Sequence, residues 1–306
     1  MRRGLADSLD YIVEQSRGQV DFDAPALQRL IDGLRAGDWY PASTFGIYYD
    51  LVPALTVGDR ETAEALFGEL ASEHPLTESC RVLGLDDPAL GHVSRYKRLL
   101  DTDTRQSFSF QPPAPELTRA FADRLQHARE VIRQVLPDLA AEQEAILREI
   151  ILAVGDTDSD YTFDGGSSYM LWGALFLNAE SHTSDVAMID VLAHEASHSL
   201  LFGCCTEEPL VLNADDELFT SPLRRDPRPM DGIYHAAFVS ARMHWAMSRL
   251  LESDFPDSAQ LAEAESRRDA SKQGFEAGYS VVAEHADLTP TGRSIMQKAR
   301  EYMDSV

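Results

Sequence analysis

Leu27, Leu30, Ile31 and Leu34 recur at the spacing of a single helix face, and Ala63, Leu66, Phe67 and Leu70 repeat the pattern. The first hundred residues therefore read as short helices joined by turns, with no spacing of a catalytic type. Gln111-Pro-Pro-Ala-Pro115 interrupts the periodicity, because proline removes backbone donors and forces its neighbours into extended geometry. The chain is expected to divide here into an N-terminal helical region, 1–115, and a second region, 116–306. Beyond the break, Glu116 to Leu136 has the pattern of an amphipathic helix ended by Pro137, and Ala140 to Val154 reads as another.

Gly155 to Ser168 is rich in Asp, Gly and Ser and reads as a loop. Tyr169-Met-Leu-Trp-Gly-Ala-Leu-Phe-Leu-Asn178 is apolar, aromatic and short, which suits a buried strand. Asp185 to Phe202 carries a long helical pattern that stops at Gly203, a favourable helix terminator. Thr206 to Pro229 has four prolines and no period, so it reads as an ordered loop. Asp231 to Leu251 is a further helix, and Gln260 to Val306 holds two more. The fold class that follows is mainly α (α+β), with a small buried sheet next to the helix at 185–202.

Composition narrows the partners. The 306 residues are 44% hydrophobic and 25% charged, as in globular proteins, and no run of about 18 apolar residues marks a membrane span. The start, Met-Arg-Arg-Gly-Leu-Ala-Asp-Ser, lacks the apolar core of a secretory signal. Cys80, Cys204 and Cys205 are the only cysteines, which points to reduced, cytoplasmic usage. A net charge of −24 excludes nucleic acid and anionic membranes as partners, since both need a positive field. Between Glu142 and Glu217 sixteen acidic residues face one basic residue, Arg148; then Arg224, Arg225 and Arg228 arrive together.

The chemistry concentrates in Val191-Leu-Ala-His194-Glu195-Ala-Ser-His198. Two histidines four apart lie about 40° apart round a helix and one turn along it, so both imidazoles can reach one metal ion. Glu195 lies about 100° round from His194, close enough to act on a metal-bound water. Val191, Leu192, Leu200 and Leu201 make the helix a buried one, where uncompensated polar groups are costly. A third ligand is needed. Candidates are Glu207, Glu208, Asp215, Asp216 and Glu217 on the loop, or His235 and His244 on the next helix. His235 is favoured, because Ala236 and Ala237 beside it allow close helix approach. Arg242, seven residues on, returns to nearly the same face roughly 10 Å further along. A zinc hydrolase would need Glu195 and an open water site, whereas an Fe(II)/2-oxoglutarate enzyme would also need a cation for the distal carboxylate of the keto acid.

His194-Glu-Ala-Ser-His198-Ser-Leu-Leu-Phe, Ser221-Pro-Leu-Arg-Arg-Asp-Pro-Arg-Pro229, Gly232-Ile-Tyr-His235 and Phe238-Val-Ser-Ala-Arg242 together resemble the HExxH-type 2-oxoglutarate-dependent peptide β-hydroxylases, a family associated with maturation of ribosomally made peptides. The match is clear over residues 165 to 250. The resemblance implies a non-haem iron enzyme on a zincin-like helical scaffold. His194, His198 and His235 would hold Fe(II), and Arg242, Arg228 or Arg224 would hold the oxoglutarate carboxylate. Glu195 would orient a ligand or the peptide substrate. Three histidines depart from the usual two-histidine, one-carboxylate set. The edge of the strand ending at Asn178 is a place where an extended peptide could add.

Overall fold

A computed structural model describes residues 1–102, 109–155, 163–221 and 226–306 of the chain; Arg224 and Arg225 lie outside the described residues. The described residues are mainly helical, with one four-stranded sheet and one two-stranded ribbon. They divide into two compact units. One is Met1–Thr118 with Leu147–Ser181, and the other is Arg119–Ile146 with His182–Val306. The first crossing falls close to the proline break, but Leu147–Ser181 joins the earlier unit and takes the sheet with it.

The first unit begins with four helices, α1 (Arg2–Ser16), α2 (Ala24–Ala36), α3 (Ser43–Val57) and α4 (Arg60–Ser72). Asp23 and Asp59 cap α2 and α4 by accepting from the backbone N–H groups of Ala26 and Thr62. Next come β1 (Arg81–Gly84) and α5 (Val93–Leu100), and later β2 (Glu149–Ala153), β3 (Gly165–Ser167) and β4 (Ala174–Asn178). The sheet order is β1-β2-β4-β3, parallel except for β3. Its core packs Ile151 and Phe176 with Tyr96, Phe110, Phe163 and Leu171.

Two expectations change here. The helix foreseen from Ala140 to Val154 ends at Ile146, and β2 follows almost at once. Ile150, Ile151 and Leu152 are almost wholly buried, as the continuous apolar run of a two-sided parallel strand requires. Of the segment Tyr169–Asn178, only Ala174–Asn178 is strand; Tyr169–Leu171 is a single 3₁₀ turn. β4 is paired with β2 on one side and β3 on the other, so its backbone offers no edge to a peptide.

Glu149, which opens β2, is fully buried. Its Oε2 accepts from the Tyr96 hydroxyl at 2.8 Å and from the Ala42 N–H at 2.9 Å, and its Oε1 pairs with the Arg81 guanidinium. Tyr96 in turn accepts from the Ser43 N–H at 3.1 Å. The carboxylate thus sits at the N-terminus of α3, where orphan N–H groups favour negative charge. Nearby Glu73 accepts from Ser43 Oγ at 3.2 Å. Burial pushes its carboxyl up to about 7, outweighing that hydrogen bond, and the charge on Glu149 adds to the rise.

The second unit is helical. Its elements are α6 (Pro115–Val135, which starts just before the crossing), α7 (Pro137–Ile146), α8 (Asp185–Cys204), α9 (Met230–Leu251), α10 (Ser258–His285) and α11 (Pro290–Asp304), with the ribbon β5 (Leu218–Phe219) and β6 (Arg228–Pro229) before α9. Ser184 caps α8 by accepting from the Ala187 N–H. That helix runs through Gly203 to Cys204, and Cys205 follows at φ −91°, so no left-handed terminator is used. Arg267 of α10 donates to Asp190 of α8 at 3.0 Å and to Glu263 at 2.9 Å. α9 and α10 approach closely: a Cβ placed on Gly278 would stand 3.1 Å from the Cβ of Ala237. Gly292 is tighter still, since a Cβ there would lie 2.1 Å from the Leu210 carbonyl oxygen. The loop after α8 is held to the start of α11 by this contact and by the Thr289 hydroxyl, which donates to the Pro209 carbonyl at 2.8 Å.

Candidate metal centre

α8 sets His194 and His198 one turn apart, with their Nε2 atoms 3.2 Å from each other. Two nitrogens bonded to one ion at ~2.1 Å stand roughly 3.0–3.4 Å apart, so this pair matches the spacing a shared metal needs. α9 brings His235 against the same place. Its Nδ1 is 3.0 Å from the Nδ1 of His198, and the two rings stack at 5.3 Å with 15° between their planes. Phe202 packs on His235 at 5.4 Å. His194 Nδ1 lies 3.2 Å from the sulfur of Met243, and its side chain is 37% exposed, which leaves an approach from solvent.

The electrostatics suit ligation. Burial, with His194 and His235 nearby, holds the His198 imidazole well below its ordinary value, and burial lowers that of His235. Both rings are therefore neutral at pH 7, the form a metal requires. Two facing nitrogens need a proton or a cation between them, and each neutral imidazole carries a single N–H. His198 stands in the middle, with Nε2 toward His194 and Nδ1 toward His235. Among the described residues no three His, Cys, Asp or Glu side chains converge on one point. The His194–His198 pair fits a metal as it stands, and His235 lies against that pair from the other edge of the His198 ring. Glu195 is buried, with Oε1 3.8 Å from His194 Nε2, so it flanks the pair.

The remaining candidates go elsewhere. Glu208 accepts from the Thr291 N–H at 3.0 Å, Glu217 from Asn213 at 3.3 Å, and Glu207, Asp215 and Asp216 are exposed. His244 stands 2.9 Å from the Tyr302 hydroxyl. Arg242 donates through Nη2 to both oxygens of Glu142, at 2.7 and 2.8 Å. Arg228 is half-buried in β6, immediately before α9, and Arg224 lies outside the described residues. Two neighbours were not anticipated. Met243, eight residues after His235 and about 80° round the helix, was readable from spacing alone. Glu142 was not, because nothing in a linear pattern links it to an arginine on α9.

No protein-family model and no curated protein matches this chain.

Proposed function

We propose that this protein is an Fe(II)- and 2-oxoglutarate-dependent oxygenase, built on a zincin-like helical scaffold, that hydroxylates the β-carbon of a residue in a ribosomally made peptide. The observation that supports the reading is the three-imidazole cluster: His235 of the next helix meets His198, which also faces His194, whereas the loop carboxylates Glu208 and Glu217 are bonded elsewhere. His194 and His198 would hold the metal, with His235 as its third ligand. Iron with the keto acid supplies the oxidising power that these side chains lack. The chain's own part is to keep the imidazoles of His198 and His235 neutral, to position the three rings through α8 and α9, and to pack Phe202 and Met243 against them.

The distal carboxylate of 2-oxoglutarate needs a cation. Arg242, Arg228 and Arg224 are the candidates for that role, of which Arg242 is bound to Glu142. Glu195 orients His194 or the substrate. The acidic chain favours a basic or neutral peptide over an acidic one. All three cysteines are free, and among the described residues no helix is long and apolar enough to cross a membrane; we place the protein in the reducing cytoplasm. The competing reading, a zinc hydrolase with Glu195 as general base, draws on the position of Glu195 beside His194.

The test loads the anaerobic protein with Fe(II), 2-oxoglutarate and a precursor peptide, admits air, and follows succinate and peptide mass. Keto-acid-dependent succinate with a gain of one oxygen supports the proposal. Zinc-dependent cleavage of the peptide with no need for the keto acid overturns it.

A further inference from the structure

On the flank of α8 and α9 next to that of the histidines, the second unit forms a cavity of about 330 Å³, open to solvent, that also reaches α11. Its size is at the lower end of small-molecule sites, which run ~300–1,000 Å³. Leu201, Phe238, Trp245 and Ile295 give it apolar walls, and two cations, Arg242 and Lys298, line it as well. In a chain with 27 basic residues against 51 acidic ones, two cations at one apolar cavity are a local reversal of sign.

The two cations are differently placed. The charge of Arg242 is met by Glu142, and its guanidinium carbon lies 5.0 Å from the centre of the Trp245 ring. Lys298 is exposed and makes no ion pair among the described residues, so it is the surplus positive charge. Apolar walls with a surplus ammonium fit one ligand chemistry. We infer that this cavity binds a monocarboxylate with an apolar body, its ring or chain against Phe238 and Trp245 and its carboxylate taken by Lys298. The short dicarboxylate 2-oxoglutarate has no apolar body for these walls, so the site is separate from that of the keto acid.

The test uses the metal-free full chain, which makes it independent of the proposed oxygenase activity. The protein is titrated calorimetrically with 4-phenylbutyrate, with 4-phenylbutanol as the uncharged comparator and glutarate as the comparator without an apolar body. The acid is expected to bind about tenfold more tightly than the alcohol, and glutarate is expected not to displace it. Lys298→Glu is expected to weaken the acid by about tenfold while leaving the alcohol unchanged. Ala299→Leu, which fills the cavity, removes binding of both. Equal binding of acid and alcohol, displacement by glutarate, an unchanged acid affinity in Lys298→Glu, or no saturable binding overturns the inference. Lys298 is at the surface, so its variant folds whether or not the filled-cavity variant does.

Discussion

Each unit of the protein buries one polar centre, and the two are built on opposite terms. In the first, the Glu149 carboxylate has a partner on each oxygen: an arginine on one, a tyrosine hydroxyl and the N–H that opens α3 on the other. In the second, three imidazoles turn their nitrogens toward one another at 3.0 and 3.2 Å. A buried acceptor with a donor on each oxygen is a fastening, and its worth is stability. Facing imidazole nitrogens can be joined by a proton or by a cation, and their worth lies in that exchange.

The contrast breaks most sharply at the histidines. His198→Ala is expected to reduce metal retention to background, measured as metal content after dialysis against a chelator, with little change in the far-ultraviolet circular dichroism. His235→Ala should lower affinity by more than the ~10–100-fold typical of a lost outer partner. Full iron occupancy in that variant would show that His235 belongs with the fastenings.

Next in size is Glu149→Ala, which strands Arg81 and Tyr96 and should cost about 3–5 kcal/mol in denaturant unfolding, as for one partner removed from a buried ion pair. Metal retention by the second unit should hold while the protein stays folded. Gly292→Ala follows, because its methyl group would meet the Leu210 carbonyl; about 1–3 kcal/mol is expected, with earlier proteolysis of the loop after α8.

The smallest effect concerns Glu73. Its carboxyl ionises near 4.5 in the unfolded chain and near 7 in the folded one, so the unfolded state sheds the proton first as pH rises. Stability should therefore fall between about pH 4.5 and 7 and level off above. Glu73→Gln should flatten that slope and raise Tm at pH 8 by roughly 2–4 °C, with no change at pH 4. An unaltered pH profile would show that Glu73 is solvated.

Much of this is legible in the amino-acid sequence. The 3.6-residue period located α2, α4, α6, α8 and α9 and the pair α10 and α11, because each buries a single stripe or is buried throughout. The period could not separate α7 from β2: Leu139, Ile146 and Ile150 continue one apolar rhythm, and the change from helix to strand is decided by pairing with β1 and β4. β3, with its Gly-Gly-Ser, has no side-chain pattern to read. At the centre, His194 and His198 were legible through spacing and His235 through its small neighbours, since Ala237 does pack against Gly278. The engagement of Arg242 with Glu142 and the cavity lined by three helices were not legible. Both depend on segments far apart in the chain.

The way the chain alternates between its units also governs how the protein is made. When the ribosome has released Met1–Thr118, the first unit holds β1 but neither of the two inner strands, and these come only after α6 and α7 have been synthesised. Those two helices belong to the other unit and must wait for His182 onward. Neither unit is completed before the next begins, so cotranslational folding cannot proceed one unit at a time. An apolar β1 edge and two unpartnered helices would be exposed together on the nascent chain, which makes it a client for chaperones until the histidine helix emerges.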